Sequence, residues 1–243
     1  MAAAYGLTGY PLSHSFSPAY FGEKFARLGI DATYQPFPIA AISELPYLLH
    51  EHSELHGLNV TIPYKEQVIP YLHGLSPEAA AIGAVNCIDI RNGILTGYNT
   101  DATGFRQSLE PLLQQQHTRA LVLGTGGAAR AVTWVLDQLG VKWQQVSRNG
   151  KNEALTYEQV TPELLATHML LINTTPVGMY PHVTDAPALP YTAIGTQHLL
   201  YDLVYNPKET RFLAHGREQG AVIKNGHDML ILQAEAAWAI WNS

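Results

Sequence analysis

A single cysteine, Cys87, occurs in the chain, so no intramolecular disulfide can form, and a reducing compartment is expected. Basic residues are also few: 14 Lys and Arg stand against 20 Asp and Glu, with a net charge of -6 and a pI near 6.0. They are scattered rather than gathered into a basic face or tail, which argues against a nucleic-acid partner. No apolar run approaches the ~18 residues of a membrane span. The start, MAAAYGLTGY, has neither a basic segment nor a long apolar one, so no signal peptide is expected. Low-complexity stretches and internal repeats are missing too. What is present is 243 residues, 47% of them hydrophobic, enough for one large α/β unit or two modest domains in the cytoplasm.

Strand-like and helix-like segments alternate through the first hundred residues. Strands are expected at 5–9, 32–37, 57–62, 84–90 and 94–98. Ser17 followed by Pro18 reads as N-cap and first helical position, and Gly29 closes that helix. Ser76-Pro77-Glu78 opens a short helix, and Arg91-Asn92-Gly93 signals a hairpin. Beyond Asp101 a connecting helix is expected over 102–116, with Phe105, Leu109, Leu112 and Leu113 on one face. Then follow strands near 120–123, 143–147, 169–173, 199–204 and 221–224. Helices at 128–139, 162–168 and 208–219 separate most of them, and a last helix covers 228–241. This βαβ series implies a doubly wound parallel sheet with right-handed crossovers. The expected fold is therefore α/β with two domains. Residues 1–101 would form an N-terminal α/β domain, with the closing helix 226–243 packing back on it, and 102–225 a Rossmann dinucleotide-binding domain.

Gly124-Thr125-Gly126-Gly127-Ala128-Ala129 follows a buried-strand pattern and opens a helix, the context that a G-x-G-x-x-G/A fingerprint requires. Gly124 permits the tight turn, Gly126 admits the pyrophosphate, and Ala129 allows close helix packing. The helix N-terminus then presents N–H groups and positive dipole to phosphate. At the end of the next strand an NAD enzyme usually carries Asp or Glu for the ribose 2′-hydroxyl. Here Ser147-Arg148-Asn149 stands, with Lys151 behind it. A hydroxyl and a guanidinium attract a 2′-phosphate where a carboxylate would repel it, so NADP is favoured.

Further motifs run through the chain in order. They are Ser13-His14-Ser15-Phe16-Ser17-Pro18, Asn59-Val60-Thr61-Ile62-Pro63-Tyr64-Lys65, Gly83-Ala84-Val85-Asn86 and Asn99-Thr100-Asp101. After the glycine loop come Asn173-Thr174-Thr175-Pro176-Val177-Gly178-Met179 and Tyr201-Asp202-Leu203-Val204-Tyr205. Together they resemble the shikimate dehydrogenase family over essentially the whole length. The resemblance implies NADPH-dependent, reversible reduction of 3-dehydroshikimate to shikimate, a step towards aromatic amino acids. It implies that Ser15 and Ser17 bind the substrate carboxylate, that Thr61, Asn86 and Gln233 hold its hydroxyls, and that Tyr205 lines the pocket. Lys65 and Asp101 would be the catalytic pair. Gly124, Gly126, Gly127, Ala128, Ser147, Arg148, Thr174, Val204 and Gly226 would contact the cofactor. The expected partner is a small-molecule substrate, with no metal and a monomeric or homodimeric state.

Residue chemistry points the same way. Neutral Ser, Thr, Asn and Gln side chains suit a polyhydroxylated ligand. Hydride arrival puts negative charge on the carbonyl oxygen, which calls for a placed cation or proton donor. Two departures from the family pattern stand out. The usual Asn-Arg-Thr is replaced by Ser147-Arg148-Asn149, which suggests a weaker NADP preference. The usual Asp-Gly-x-Gly-Met-Leu is Asn225-Gly226-His227-Asp228-Met229-Leu230, so a carboxylate replaces a glycine on the nicotinamide side. The alternatives are a quinate/shikimate dehydrogenase with relaxed nucleotide use, or a catalytically silent NADP-binding regulatory homologue. His52 and His56 lack a third metal ligand at sensible spacing, Ser13-His14-Ser15 lacks a hydrolase frame, and Cys87 reads as a core residue.

Overall fold

The computed structural model describes residues 3–12, 15–150 and 153–243, and it divides into two compact units, Met1–Thr100 with Gln233–Ser243, and Asp101–Leu232. Ser13, His14 and Lys151 lie outside the described residues. Among the described residues no helix is long and apolar enough to cross a membrane.

The first unit is built on a six-stranded sheet of order β2-β1-β3-β5-β6-β4. Its strands are β1 (Ala3–Gly9), β2 (Ala32–Pro38), β3 (Leu55–Val60), β4 (Gly74–Leu75), β5 (Cys87–Arg91) and β6 (Ile94–Tyr98). β1 pairs in parallel with β2 and β3, whereas β5 runs antiparallel to its neighbours β3 and β6. Asn92 and Gly93 turn the β5–β6 hairpin at φ 52° and 77°, the left-handed pair a tight hairpin requires. Helices α1 (Phe16–Leu28), α2 (Leu45–Glu51) and α3 (Pro77–Ile82) connect these strands. The N-cap of α1 is Ser15 rather than Ser17, and Pro18 falls inside the first turn, where its missing N–H has no intrahelical role. Gly29 closes α1 at φ 62°, and Ile30 N–H donates back to the Phe25 carbonyl at 3.0 Å.

The C-terminal residues 233–243 are held in this unit by aromatic packing. Trp241 stacks on Tyr5 with ring centroids 4.8 Å apart and donates through Nε1 to the Ile88 carbonyl at 3.0 Å. Gly57 makes room for the indole, since a Cβ there would stand 2.2 Å from Trp241 Nε1. Phe21, Phe25, Tyr34 and Cys87 complete that core. Cys87 is fully buried, and desolvation pushes its thiol well above the usual range.

The second unit has five parallel strands in the order β11-β10-β9-β7-β8. They are β7 (Arg119–Leu123), β8 (Lys142–Val146), β9 (Leu170–Asn173), β10 (Leu199–Asp202) and β11 (Val222–Lys224). Helices α5 (Gly127–Gln138), α6 (Pro162–Leu165) and α7 (Arg211–Glu218) alternate with them. β7, β9 and β10 are buried almost throughout, as strands covered on both faces must be. The helix expected over 102–116 is shorter: α4 (Thr100–Leu109) gives way to a 3-10 turn, Glu110–Leu112. Pro111 is the reason, having no N–H to continue the ladder and a ring that meets the preceding turn. The closing helix α8 (His227–Trp241) begins in this unit.

Candidate active site

Both sheets contain a point where strand order reverses. In the first unit β2 and β3 lie on opposite sides of β1, and in the second β8 and β9 lie on opposite sides of β7. Loops leaving the carboxyl ends of such strands diverge and open a crevice, the usual ligand position of α/β sheets.

In the first unit, Ser15 and Ser17 follow β1, and Thr61 and Lys65 follow β3. The two strand ends are tied together: Thr61 N–H donates to the Thr8 carbonyl at 2.9 Å, and Tyr10 N–H to the Ile62 carbonyl at 3.0 Å. Gly9 is required here, because a Cβ would lie 2.4 Å from Thr61 Cγ2. Ser15 Oγ donates to the Leu12 carbonyl at 3.1 Å and makes no capping bond, so its hydroxyl is not committed to α1. Ser17 is buried beside Tyr34, whose hydroxyl donates to Asn59 Oδ1 at 2.8 Å. Asn59 Nδ2 in turn donates to the Asn86 carbonyl at 3.1 Å.

Lys65 sits in the turn after β3, half-buried, between two anchors. Tyr64 is buried and its hydroxyl donates to the Ile39 carbonyl at 2.8 Å, while Val85 N–H donates to the Lys65 carbonyl at 2.8 Å. The backbone that carries the ammonium is thereby fixed. Asn86, Thr100 and Gln233 form a buried polar cluster in the same unit. Thr100 N–H donates to Asn86 Oδ1 at 2.6 Å, Asn86 Nδ2 to Thr100 Oγ1 at 3.0 Å and to Gln233 Oε1 at 3.5 Å. Thr100 Oγ1 reaches Gln233 Oε1 at 3.4 Å. A buried array of amides and hydroxyls remains in a core only if satisfied, and ligand hydroxyls can exchange with these contacts at little net loss. Asp101, buried and next in the chain after Thr100, opens the second unit.

In the second unit the glycine loop leaves β7. Gly124 has φ 117°, strained for any residue with a side chain, and a Cβ would meet Thr174 Oγ1 at 2.5 Å. Thr174 Oγ1 donates to the Leu123 carbonyl at 2.7 Å, so the loop after β9 is pinned against the loop after β7. Gly126 differs. Its φ is −87° and a Cβ there would touch nothing within 4 Å. The protein itself does not require glycine at that position, whereas a pyrophosphate approaching the backbone does. Gly126 is the N-cap of α5, so the first N–H groups, at Gly127 and Ala128 among others, point beyond the helix end without intrahelical acceptors. Ala129 is fully buried.

Ser147 and Arg148 follow β8, one strand from the glycine loop. Among the described residues Ser147 Oγ is the one buried side-chain oxygen or nitrogen without a hydrogen-bond partner. An orphaned buried hydroxyl costs about 1–3 kcal/mol unless a ligand satisfies it. Arg148 beside it is exposed. This donor set fits a 2′-phosphorylated dinucleotide: backbone N–H groups for the pyrophosphate, and a hydroxyl with a guanidinium for the 2′-phosphate.

Val204 is buried and its N–H donates to Asp202 Oδ1 at 3.0 Å; Tyr205 follows, its hydroxyl pushed up by burial. Gly226 N–H donates to the Val204 carbonyl at 3.2 Å, and a Cβ on Gly226 would lie 2.1 Å from the Leu203 carbonyl oxygen. Glycine is needed there by the chain's own backbone. Gly226→Ala is accordingly expected to destabilise the protein by about 2 kcal/mol or more, read as a lower urea midpoint at unchanged m-value. Asp228, which replaces the family's second glycine, is turned to Lys224, whose ammonium holds its carboxyl below the usual range.

Burial pushes the Asp202 carboxyl from 3.8 up to about 6. A carboxyl raised on folding contributes stability that is complete below the unfolded value and lost as pH rises through the folded one. The stability of the wild type relative to Asp202→Asn should therefore fall by at most about 3 kcal/mol between pH 4 and pH 7. Paired urea titrations at the two pH values measure it.

Asn59, Thr100 and Tyr34 belong to these networks without a sequence signal of their own as site residues. Asn59 and Thr100 lie within the motifs Asn59–Lys65 and Asn99-Thr100-Asp101, and their polar side chains beside Thr61 and Asp101 are the one local hint.

Comparisons with known proteins agree with this geometry. A family profile described as shikimate dehydrogenase substrate binding domain matches residues 7–88. A shikimate dehydrogenase (NADP(+)) of Carboxydothermus hydrogenoformans is 39% identical over 253 residues, covering 97% of this chain and 90% of the relative. A shikimate dehydrogenase structure from Aquifex aeolicus superposes with a TM-score of 0.89 at 33% identity, covering 99% of this chain and 92% of that one. Another, from Thermus thermophilus in complex with NADP(H) and shikimate, gives a TM-score of 0.87 at 33% identity, covering 98% and 92%.

Proposed function

The chain belongs to the shikimate dehydrogenase family, and from that premise we propose that it reduces 3-dehydroshikimate to shikimate, reversibly, with NADPH. When bound, NADPH supplies the hydride. Lys65 neutralises the negative charge that develops on the ketone oxygen, and Asp101 is the second member of the proposed catalytic pair. Ser15 and Ser17 take the carboxylate; Thr61, Asn86 and Gln233 take the hydroxyls; Tyr205 lines the ring. The nucleotide is held by Gly124, Gly126, Gly127 and Ala128 at its pyrophosphate and by Ser147 and Arg148 at its 2′-phosphate. Thr174, Val204 and Gly226 shape the loops beside it.

The observation that carries this reading is the buried Asn86–Thr100–Gln233 cluster. Three neutral side chains with both donor and acceptor capacity converge within reach of one another, a pattern suited to a polyhydroxylated ring and not to an apolar one. A reducing, cytoplasmic setting is supported by the buried, unpaired Cys87. The acidic balance of charges supports neither nucleic acid nor membrane as a partner, and a monomer or homodimer is proposed. Initial rates of nucleotide reduction, with shikimate and quinate each paired with NADP and NAD, test the assignment. Shikimate with NADP should give the highest kcat/KM; a higher value with quinate would reassign the substrate.

A further inference from the structure

Asp202, at the carboxyl end of β10, is a fully buried carboxylate to which the proposed chemistry gives no role. Three donors from three different segments converge on it. Thr210 Oγ1 donates to Oδ2 at 2.6 Å, Asn173 Nδ2 to Oδ1 at 2.9 Å, and Val204 N–H to Oδ1 at 3.0 Å. Each donor leads to a loop. Asn173 Oδ1 accepts from Thr175 N–H at 3.1 Å and Thr175 Oγ1 at 2.6 Å, which shapes the turn after β9. That turn carries Thr174, pinned to the glycine loop at Leu123. Val204 opens the loop after β10, and its carbonyl accepts from Gly226. Thr210 is the N-cap of α7, its Oγ1 accepting from Leu213 N–H at 3.4 Å. It also backs onto the other end of the β9 turn, where Gly178 has φ 87° and a carbon added to it would stand in van der Waals contact with Thr210 Cβ, 3.4 Å away.

We propose that Asp202 is a positioning residue for the nucleotide: by accepting from Asn173, Val204 and Thr210 it sets the relative position of the loops after β9 and β10. Those loops leave adjacent strands on the carboxyl side of the strand-order reversal, where a dinucleotide binds a doubly wound sheet. A neutral residue could fill the space, but only a carboxylate accepts from all three donors without presenting one of its own. Ionisation is costly at this depth, and burial pushes the group up to about 6, while the hydrogen bonds from Thr210, Val204 and Asn173 favour the charged form. The inference rests on the assignment of NADPH to this unit.

The experiment measures NADPH dissociation constants by fluorescence titration and the KM for 3-dehydroshikimate on the full chain. Wild type, Asp202→Asn, Thr210→Val and Thr210→Ser are compared, with thermal midpoints recorded for each. Asp202→Asn turns an amide N–H towards a donor and should weaken NADPH about tenfold, with substrate KM changed less than about twofold. Thr210→Val removes the donor to Asp202, and with it the α7 cap, at nearly constant shape and should weaken NADPH severalfold. Thr210→Ser restores the hydroxyl and should bind as wild type, the contrast that remains readable if Asp202→Asn does not fold. NADPH affinity in Thr210→Val equal to wild type would overturn the proposal. So would equal losses of NADPH and substrate affinity tracking the thermal midpoint, which is the signature of a merely structural role. A wild type that binds no NADPH would remove the functional reading and this inference with it, and the unmutated titration alone identifies that case.

Discussion

Lys65→Met should lower kcat by about 10²–10⁴-fold while substrate KM changes far less. Methionine keeps much of the side-chain length and removes the charge. The backbone should tolerate it, because the turn is held by Tyr64, through its hydroxyl on Ile39, and by the Val85 bond to the Lys65 carbonyl. Hydride arrival leaves an oxyanion on the substrate, and without a nearby cation or proton donor that charge is unstable at neutral pH. The proposed carboxylate and hydroxyl contacts come from Ser15, Ser17, Thr61, Asn86 and Gln233, so binding should survive the change. Steady-state kinetics with NADPH and 3-dehydroshikimate, on protein whose circular dichroism matches wild type, give the answer. A Lys65→Met enzyme with more than about a tenth of the wild-type kcat would fall outside the range of a placed acid–base group and sink the assignment.

Arg148→Asp should shift the ratio of kcat/KM for NADP over NAD towards NAD by about 10²-fold. Two effects combine: loss of a charge-assisted contact worth about 1.5–3 kcal/mol, and repulsion between a new carboxylate and the 2′-phosphate. The carboxylate also supplies what NAD sites use for the ribose 2′-hydroxyl. Ser147 Oγ, buried and without a protein partner, stays in place as the proposed second 2′-phosphate donor, so the residual NADP activity should be weak rather than absent. Initial rates with each nucleotide at saturating shikimate, together with raised salt, measure it. Arg148 is exposed, and ionic strength should narrow the wild-type preference. An unchanged ratio in the mutant would place 2′-phosphate selection on other residues.

Asp228 illustrates how far a family pattern carries. Losing a glycine two positions after Gly226 suggests an obstruction on the nicotinamide side. The carboxylate that replaces it pairs with Lys224, the last residue of β11, and the glycine under steric compulsion is Gly226, against the Leu203 backbone. The α1 cap shows a similar limit. Ser17-Pro18 has the right residue types, but Ser15, two positions earlier, also has them, and only backbone dihedrals distinguish the two.

Local chemistry was legible from the chain because its physical causes are local. Continuous apolar runs mark the buried strands, Asn92-Gly93 marks its hairpin, Ser76 marks its helix start, and the glycine loop marks a phosphate-binding turn. The short helix at Leu45–Glu51, with its 3-10 lead-in at Ile42–Glu44, is too brief for a strong period, so local pattern does not mark it as an element. What the tertiary structure alone decided is partnership over long separations. It put Gln233 with Asn86 and Thr100, Trp241 against Tyr5 and Gly57, and the three donors of Asp202 around one carboxylate. Residues so far apart in the chain meet only after sheet order and register are set, and neither depends on local propensity. They follow from which apolar faces can be buried together, a property of the whole chain that no short window of residues contains.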